Sequence, residues 1–311
     1  MFLNIKNATI GYTSPLIRDV NAGLDTGEIC LLIGNNGAGK TTLIKSILHQ
    51  IPLLGGGIFL DNKPVEQMTS QEIAEKSAVV FSKADIPANY TVYDLVALGK
   101  FIHYPYYFEL RDEDKAAVSE IIENLGLQVY RDYPLNRLSD GNLQKAFIGR
   151  ALAQNAPMII LDEPTTHLDE ENKIMILKLL RNLARTRHKL ILFSSHDWRL
   201  AKEFSDKIWL VRDQQLTGGI TEDVLIRNRD LIDPHLFHVN DDYVAPAILA
   251  PDAEKEMLYS FLQKNMQKDL SAFTFQFQDG SWFISGNTRQ QKCNSFAEIA
   301  KLLQNHDGFS I

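Results

Sequence analysis

The stretch "GNNGAGKTT", Gly34 to Thr42, constrains this chain more than any other because of what flanks it. Before it runs "EICLLIG", an apolar segment that reads as a buried strand, and after it "KTTLIKSILHQI" sets Leu43, Ile44, Ile47, Leu48 and Ile51 on one face of a helix. Strand, glycine-rich loop and helix in that order fit the pattern G-x-x-x-x-G-K-[ST]. Glycines leave backbone N–H groups free to converge on phosphate oxygens, and the positive end of the helix dipole adds to the attraction. Gly34, Asn35, Asn36, Gly37, Ala38 and Gly39 are therefore candidate phosphate contacts. Lys40 is placed to reach the β- and γ-phosphates, Thr41 to hold Mg²⁺ through its hydroxyl, and Thr42 to meet the α-phosphate. On its own the pattern says that a nucleoside triphosphate binds.

A second segment, "MIILDEP" from Met158 to Pro164, supplies carboxylates. Its apolar residues make a buried strand, and Asp162 and Glu163 emerge at the C-terminal end, where open α/β sheets place their sites. Asp162 suits the Mg²⁺ shell. Glu163 is the candidate general base for the water that attacks the γ-phosphate, a role worth roughly 10²–10⁴ in rate.

Around these segments the chain alternates strands and helices: "MIIL", a helix across "NKIMILKLLRNLAR", then "LILF" and "DKIWLV". Such alternation implies a mainly parallel sheet covered on both faces. Ahead of it, "FLNIKNATIGY" and "IRDVNAGLDTGE" read as antiparallel strands about a turn centred on Pro15. From Ser70 to about Gly126 the pattern is mostly helical, interrupted by "KFIHYPYYFEL", whose Pro105 breaks a continuous helix. Residues 241–251 read as a Pro- and Asp-containing linker between a unit over 1–240 and a smaller one over 252–311. In the smaller unit Asp252 can cap a helix through about Lys268, and Asp279-Gly280 is a strong hairpin signal. Ser295 and Glu298 form a capping-box pattern before a last helix, so this unit is expected to be α+β.

Composition narrows the function classes. With 45% hydrophobic residues, the chain can fill a large core and is not expected to be disordered. A net charge of -7 gives no general attraction to nucleic acid or anionic lipid. Apolar runs such as "KLILF" fall far short of the roughly 20 residues that a membrane span needs, and no secretory-type signal precedes "MFLNIKNATIGY". A cytoplasmic location is expected. Cys30 and Cys293 are expected to be reduced structural thiols, and His235 and His238 lack the company that makes a metal site.

The first 220 or so residues resemble the nucleotide-binding domain of an ATP-binding cassette (ABC) ATPase. Besides the two segments above, "LSDGN" stands where that family has its Leu-Ser-Gly-Gly-Gln signature, "THLD" ends in the D-loop aspartate Asp169, and "SSHD" carries the switch histidine His196. Tyr12, in the opening "GY", matches the aromatic residue that stacks on adenine. The resemblance implies an α/β P-loop NTPase fold with an N-terminal antiparallel β subdomain and a helical subdomain over about 83–153. It implies ATP and Mg²⁺ as cofactors, and His196 bonded to the γ-phosphate. It also implies a head-to-tail pair of cassettes, in which Ser139 and Gly141 of one cap the ATP held by the other. Both halves of a site are present, so a homodimer suffices.

Two departures stand out. Ser82 occupies the place of a glutamine that normally reaches toward Mg²⁺ and the attacking water; it is a candidate residue of the metal site, but a serine is shorter, so either a water fills the gap or this loop couples differently. Asp140 replaces the first signature glycine and Asn142 the glutamine. Asp140 is expected to point away from phosphate, capping the helix or meeting a basic residue of the partner. The segment "TVYDLVALGKFIHYPYYFELRDED" resembles the helical subdomain of ATPases serving importers of iron chelates, haem and cobalamin. That implies a separate membrane permease, a solute-binding protein, and a peripheral position on the inner membrane face. Tyr90, Tyr93, Phe101, Tyr104, Tyr106, Tyr107 and Phe108 either form the docking surface or pack the subdomain's own core. The alternative class is a soluble ABC ATPase of an assembly or regulatory complex, such as iron–sulfur-cluster assembly. The C-terminal unit carries no catalytic pattern; an interaction or regulatory role and a structural one both remain open.

Overall fold

Apolar side chains recurring along one face of the opening segment form β1 (Leu3–Gly11) and β2 (Pro15–Leu24), an antiparallel pair. The computed structural model describes residues 1–82, 89–104, 109–166, 168–195, 197, 203–228, 244–265, 270–286 and 290–304. Pro15 is not the centre of the turn: it opens β2 opposite Gly11. An edge strand tolerates a residue without an N–H. With β4 (Gly55–Leu60) and β5 (Lys63–Pro64) the sheet runs β2-β1-β4-β5.

The central sheet consists of β3 (Ile29–Gly34), β6 (Ser77–Val80), β7 (Met158–Leu161), β8 (Leu190–Ser195), β9 (Lys207–Arg212) and β10 (Gln215–Ile220). Its order is β10-β9-β3-β8-β7-β6, parallel throughout except for the edge hairpin β9–β10. Every residue of β7 and β8 is buried, as expected of strands covered on both faces. β6 lies inside the stretch expected to be mostly helical. Its apolar "SAVV" is too short for a helix and finds a parallel partner in β7.

Helix α1 (Lys40–Ile47) follows β3 and buries Leu43, Ile44 and Ile47 against Leu3, Ile5 and Ile10 of the antiparallel sheet and Leu32 and Trp209 of the parallel one. The helix stops before Ile51, because His49 turns to φ 51°; Leu48 and Ile51 are buried all the same. The later helices of this unit are α2 (Ser70–Lys76), α3 (Val92–Leu98), α4 (Asp112–Asn124), α5 (Asp140–Ala153), α6 (Glu170–Arg187) and α7 (Thr221–Arg227). α3, α4 and α5 pack on one another as the helical subdomain. α5 is tied to the sheet by polar bonds: Arg150 donates to the Val79 carbonyl at 2.9 Å, and Gln154 to those of Ala74 and Ser77 at 2.6 and 3.1 Å.

The chain divides into compact units at Met1–Arg229 and Asp230–Ile311, ahead of the expected boundary at 240. Within the second, β11 (Ala247–Leu249) falls inside the expected 241–251 linker yet pairs in parallel with β12 (Thr274–Gln278). That segment is part of the sheet, which continues antiparallel through β13 (Ser281–Ser285) and β14 (Gln290–Cys293). Asp279 and Gly280 join β12 to β13 with φ 47° and 73°, the left-handed pair that a two-residue type I′ turn needs. α8 (Asp252–Asn265) and α9 (Phe296–Gln304) cover this sheet, burying Leu258, Leu262 and Ile299 with Phe275, Trp282 and Ile284. At the start of α9, Ser295 accepts from the Glu298 N–H at 3.3 Å while Glu298 reaches back to the Asn294 N–H at 2.8 Å, one residue earlier than a strict capping box.

The docking of α3 on α5 has a sharp steric limit at Gly99, where a Cβ would lie 2.1 Å from the Arg150 carbonyl oxygen and 2.8 Å from the Ala153 Cβ. Gly99→Ala should therefore cost about 1–3 kcal/mol or more in a denaturant titration. Gly126→Ala, at φ 67° with nothing within 4 Å, should cost about 1–2 kcal/mol through backbone strain alone. A Gly99→Ala protein as stable as wild type would contradict the packing described.

Candidate nucleotide-binding site

β3, β7 and β8 run parallel and end at one edge of the central sheet, the place where such sheets hold ligands. After β3 the chain enters the glycine loop. Gly34 is opposite Val211 of β9, and a Cβ there would sit 2.6 Å from the Val211 carbonyl oxygen. Gly37 and Gly39 have φ 82° and 104°, a region that side chains other than hydrogen rarely allow. Asn35, Asn36 and Gly37 form the exposed rim, Ala38 is half-buried, and Thr42 is buried in the first turn of α1.

Lys40 begins α1 and is only 6% exposed. Its ammonium donates to the carbonyls of Gly34 at 2.7 Å and Asn35 at 3.3 Å, so the loop folds around its own cation. Burial pushes the Lys40 pKa down, and the carboxylates of Glu163 and Asp162 oppose that shift. Thr41 Oγ1 donates to Asp162 Oδ2 at 2.8 Å. Two of the three residues expected around Mg²⁺, Thr41 and Asp162, are thus brought together.

Asp162 is 4% exposed, and its other oxygen is also occupied. Ser194, in β8 between β3 and β7, donates to Asp162 Oδ1 at 2.6 Å and accepts from the Glu163 N–H at 2.8 Å. Glu163 has φ 52°, a strained value for a residue with a side chain. Its Oε2 accepts from Thr166 Oγ1 at 3.0 Å. Ser82 is exposed two residues beyond β6, at the same sheet edge, since the Asp162 N–H donates to the Val80 carbonyl at 2.8 Å. Tyr12, 59% exposed, sits in the turn between β1 and β2; Leu16 and Ile17, just beyond it, line the space beside Gly39. His196 lies outside the described residues. Next to it, the Asp197 N–H donates to Ser195 Oγ at 3.0 Å.

Ser139, Gly141 and Asp169 gather separately. Ser139 is the N-cap of α5 and accepts from the Asn142 N–H at 3.4 Å. Asp140 is exposed in the first turn; the expected cap by Asp140 is instead made by Ser139, the residue that immediately precedes the helix. Gly141 is buried against Asn172 of α6, whose amide carbon would be 3.0 Å from a Cβ at that position. Asp169 caps α6, holding the Asn172 N–H at 2.8 Å and its side-chain amide at 3.1 Å. Signature turn and D-loop aspartate therefore share one packed side chain. Among the described residues, no hydrogen bond joins this group to the Asp162 network.

Three contributors escaped the sequence reading. Ser194 heads the segment "SSHD", of which only the histidine was assigned a role, although a polar residue closing the apolar strand "LILF" was a signal. Thr166 stands three residues after Glu163, a spacing that lets a hydroxyl bond back. Nothing in the sequence marked Asn172.

Comparison with known proteins agrees with this geometry. A family model described as ABC transporter matches residues 17–166. The iron(3+)-hydroxamate import ATP-binding protein FhuC of Bacillus subtilis is 34% identical over 65% of this chain and 76% of its own. The petrobactin import ATP-binding protein FpuD of Bacillus anthracis is 33% identical over 72% of this chain and 82% of its own. Among solved structures, an inward-facing ABC transporter assigned to the metal-chelate type superposes with TM-score 0.66 at 25% identity, covering 74% of this chain and 87% of that one. The dimeric bacterial cassette MJ0796 gives TM-score 0.63 at 25% identity over 70% and 98%. With a nucleotide-loop geometry of this kind and relatives at this level of identity, the chain belongs to the ABC transporter family, as an ATP-binding subunit with ATPase activity.

Proposed function

We propose that this subunit hydrolyses ATP in a head-to-tail homodimer and thereby drives a separate membrane permease that imports an iron chelate delivered by a solute-binding protein. What supports the dimer most is the division of the site: one group of residues surrounds Asp162, another surrounds Asn172, and among the described residues no hydrogen bond connects them. Support for an iron chelate comes from the import ATP-binding proteins FhuC and FpuD. No helix among the described residues is long and apolar enough to cross a membrane.

In this mechanism the loop from Gly34 to Thr42 wraps the phosphates with its N–H groups, and Tyr12 offers its exposed face to adenine. Lys40 exchanges its two carbonyl acceptors for the β- and γ-phosphates. Thr41 and Asp162 present hard oxygen donors 2.8 Å apart, a pair that fits Mg²⁺. Ser82, shorter than glutamine, adds to that set through a bridging water. When bound, the ion neutralises charge on the β- and γ-oxygens. Glu163 takes the proton of the attacking water and His196 bonds the γ-phosphate. The partner's α5 N-terminus, with Ser139 and the Gly141 N–H, closes over the γ-phosphate, and Asp169 lines the same interface.

A groove of about 470 Å³ separates the end of α1 from the helical subdomain, walled by Leu48, Ile73, Leu98, Ile102 and the aliphatic part of Arg150. His49, Gln50, Ser70 and Gln154 add polar groups to the same lining, a mixed surface that suits a short amphipathic helix of the permease. Of the seven aromatic residues considered for docking, Tyr90 and Phe101 are 37% and 45% exposed. Tyr93 lies under the Arg131 guanidinium, and Tyr104 bonds Asp114 and the Arg111 N–H, so these two serve the subdomain itself. Tyr106, Tyr107 and Phe108 are outside the described residues.

Glu163→Gln should keep ATP binding, lose at least about 10²-fold in turnover and accumulate an ATP-bound dimer in size-exclusion chromatography; near-normal turnover would reject Glu163 as the base. Asp140→Gly should change hydrolysis less than about threefold, since Asp140 is exposed and the cap belongs to Ser139. Gly141→Asp should abolish hydrolysis, because the added side chain meets Asn172; equal effects of the two substitutions would contradict this geometry. Purification from detergent-solubilised membranes should recover a polytopic permease, and Ile102→Glu should lose it while still binding ATP. Recovery of a soluble partner alone would favour an assembly or regulatory complex instead.

A further inference from the structure

Ser194 opens the segment "SSHD", where only the histidine was assigned a role, yet it is fully buried and makes two of the site's shortest hydrogen bonds. Its hydroxyl donates to Asp162 Oδ1 at 2.6 Å, which leaves Oδ2 as the oxygen that faces Thr41. The same oxygen accepts from the Glu163 N–H at 2.8 Å, at a residue whose φ of 52° needs an external restraint. Strand register makes both bonds possible: Phe193 of β8 pairs with Leu161 of β7, so the residues that follow each, Ser194 and Asp162, come side by side.

We infer that Ser194 is a positioning residue for ATP hydrolysis. It fixes the rotation of the Asp162 carboxylate and the peptide orientation that aims Glu163. One hydroxyl does both tasks, because it has one proton to give and lone pairs to receive. Alanine in its place leaves a buried carboxylate oxygen and a buried N–H each short of a partner. A hydrophobic residue would fill the same space in an all-apolar strand, and β8 is otherwise apolar up to Phe193. Two consequences follow. The gain in nucleotide affinity that Mg²⁺ brings should weaken, because Asp162 is less well oriented. Turnover should fall through misplacement of Glu163, while the phosphate loop itself is untouched. The inference rests on Glu163 being the base, as proposed above.

The test uses full-length Ser194→Ala, Ser194→Cys, Ser194→Thr, Glu163→Gln and the double variant Ser194→Ala/Glu163→Gln. Affinity for a fluorescent ATP analogue is measured in EDTA and in Mg²⁺, together with kcat, KM and the unfolding midpoint. Ser194→Ala should keep its affinity in EDTA within about twofold, lose at least threefold of the Mg²⁺-dependent gain with a matching rise in KM for MgATP, and lose at least tenfold in kcat. Ser194→Cys, which fills the space but donates weakly, should follow alanine, and Ser194→Thr should recover at least half of kcat. The double variant should be no slower than Glu163→Gln, since Ser194 acts through Glu163. Normal kcat in Ser194→Ala or Ser194→Cys beside an inactive Glu163→Gln overturns the role of Ser194 alone. So does a loss that multiplies in the double variant, or one that falls in step with the folded fraction. Near-normal turnover of Glu163→Gln removes the catalytic assignment itself and this inference with it.

Discussion

Both oxygens of one buried carboxylate, Asp162, accept hydrogen bonds, and the candidate site is organised around that fact. A carboxylate withdrawn from water is costly unless its acceptors are satisfied. Here the donors come from different strands of the sheet: Thr41 follows β3, and Ser194 lies in β8. Asp162 itself follows β7, on the far side of β8 from β3. Satisfying the charge therefore locks three strand ends at one height. A slip of one residue between β7 and β8 would turn Ser194 to the opposite face and orphan the carboxylate, so the register is specified by the polar site as well as by the apolar faces.

Close packing beneath this network explains where glycine is indispensable. Gly34 ends β3 directly against the Val211 carbonyl, which lets the loop leave the sheet without displacing β9. From there the positive φ values of Gly37 and Gly39 bring the chain round Lys40, whose ammonium rests on the loop's own carbonyls. The cation is enclosed by dipoles and by two nearby carboxylates, and incoming phosphate need only replace weak acceptors with strong ones. Arrangement of the loop before binding lowers the ordering cost that a flexible segment would carry.

How much of this could be read from the residues depended on whether the signal was local. The glycine loop, the carboxylate strand, the hairpin turn at Asp279-Gly280 and the cap at Ser295 are each decided within a few residues, and the chain spells them out. Pro15 was misplaced by a turn rule because pairing with Gly11 across a strand edge outweighed it. β11 went unseen inside an apparent linker because three residues form a strand only when a neighbour offers a ladder. Ser194 and Asn172 were missed for the same reason: their partners lie 32 residues away along the chain for the first and on a different helix for the second. Sequence periodicity carries no record of such cross-element contacts.

The two polar groups of the site have opposite mechanical characters. Around Asp162 the bonds are buried and reach across the rigid sheet, so that half of the site is preorganised. Around Asn172 the contacts are made at helix N-termini, with Ser139 and Asp169 exposed. Helix N-termini with open N–H groups favour an anion, and an exposed one keeps that capacity for a ligand presented from outside. The α5 end is carried by a helix anchored to the sheet through Arg150 and Gln154, so its approach to a second molecule is coupled to the position of β6 and to the groove beside it. A change at that groove can thus reach the signature turn along one continuous helix, without altering the carboxylate network of the candidate site.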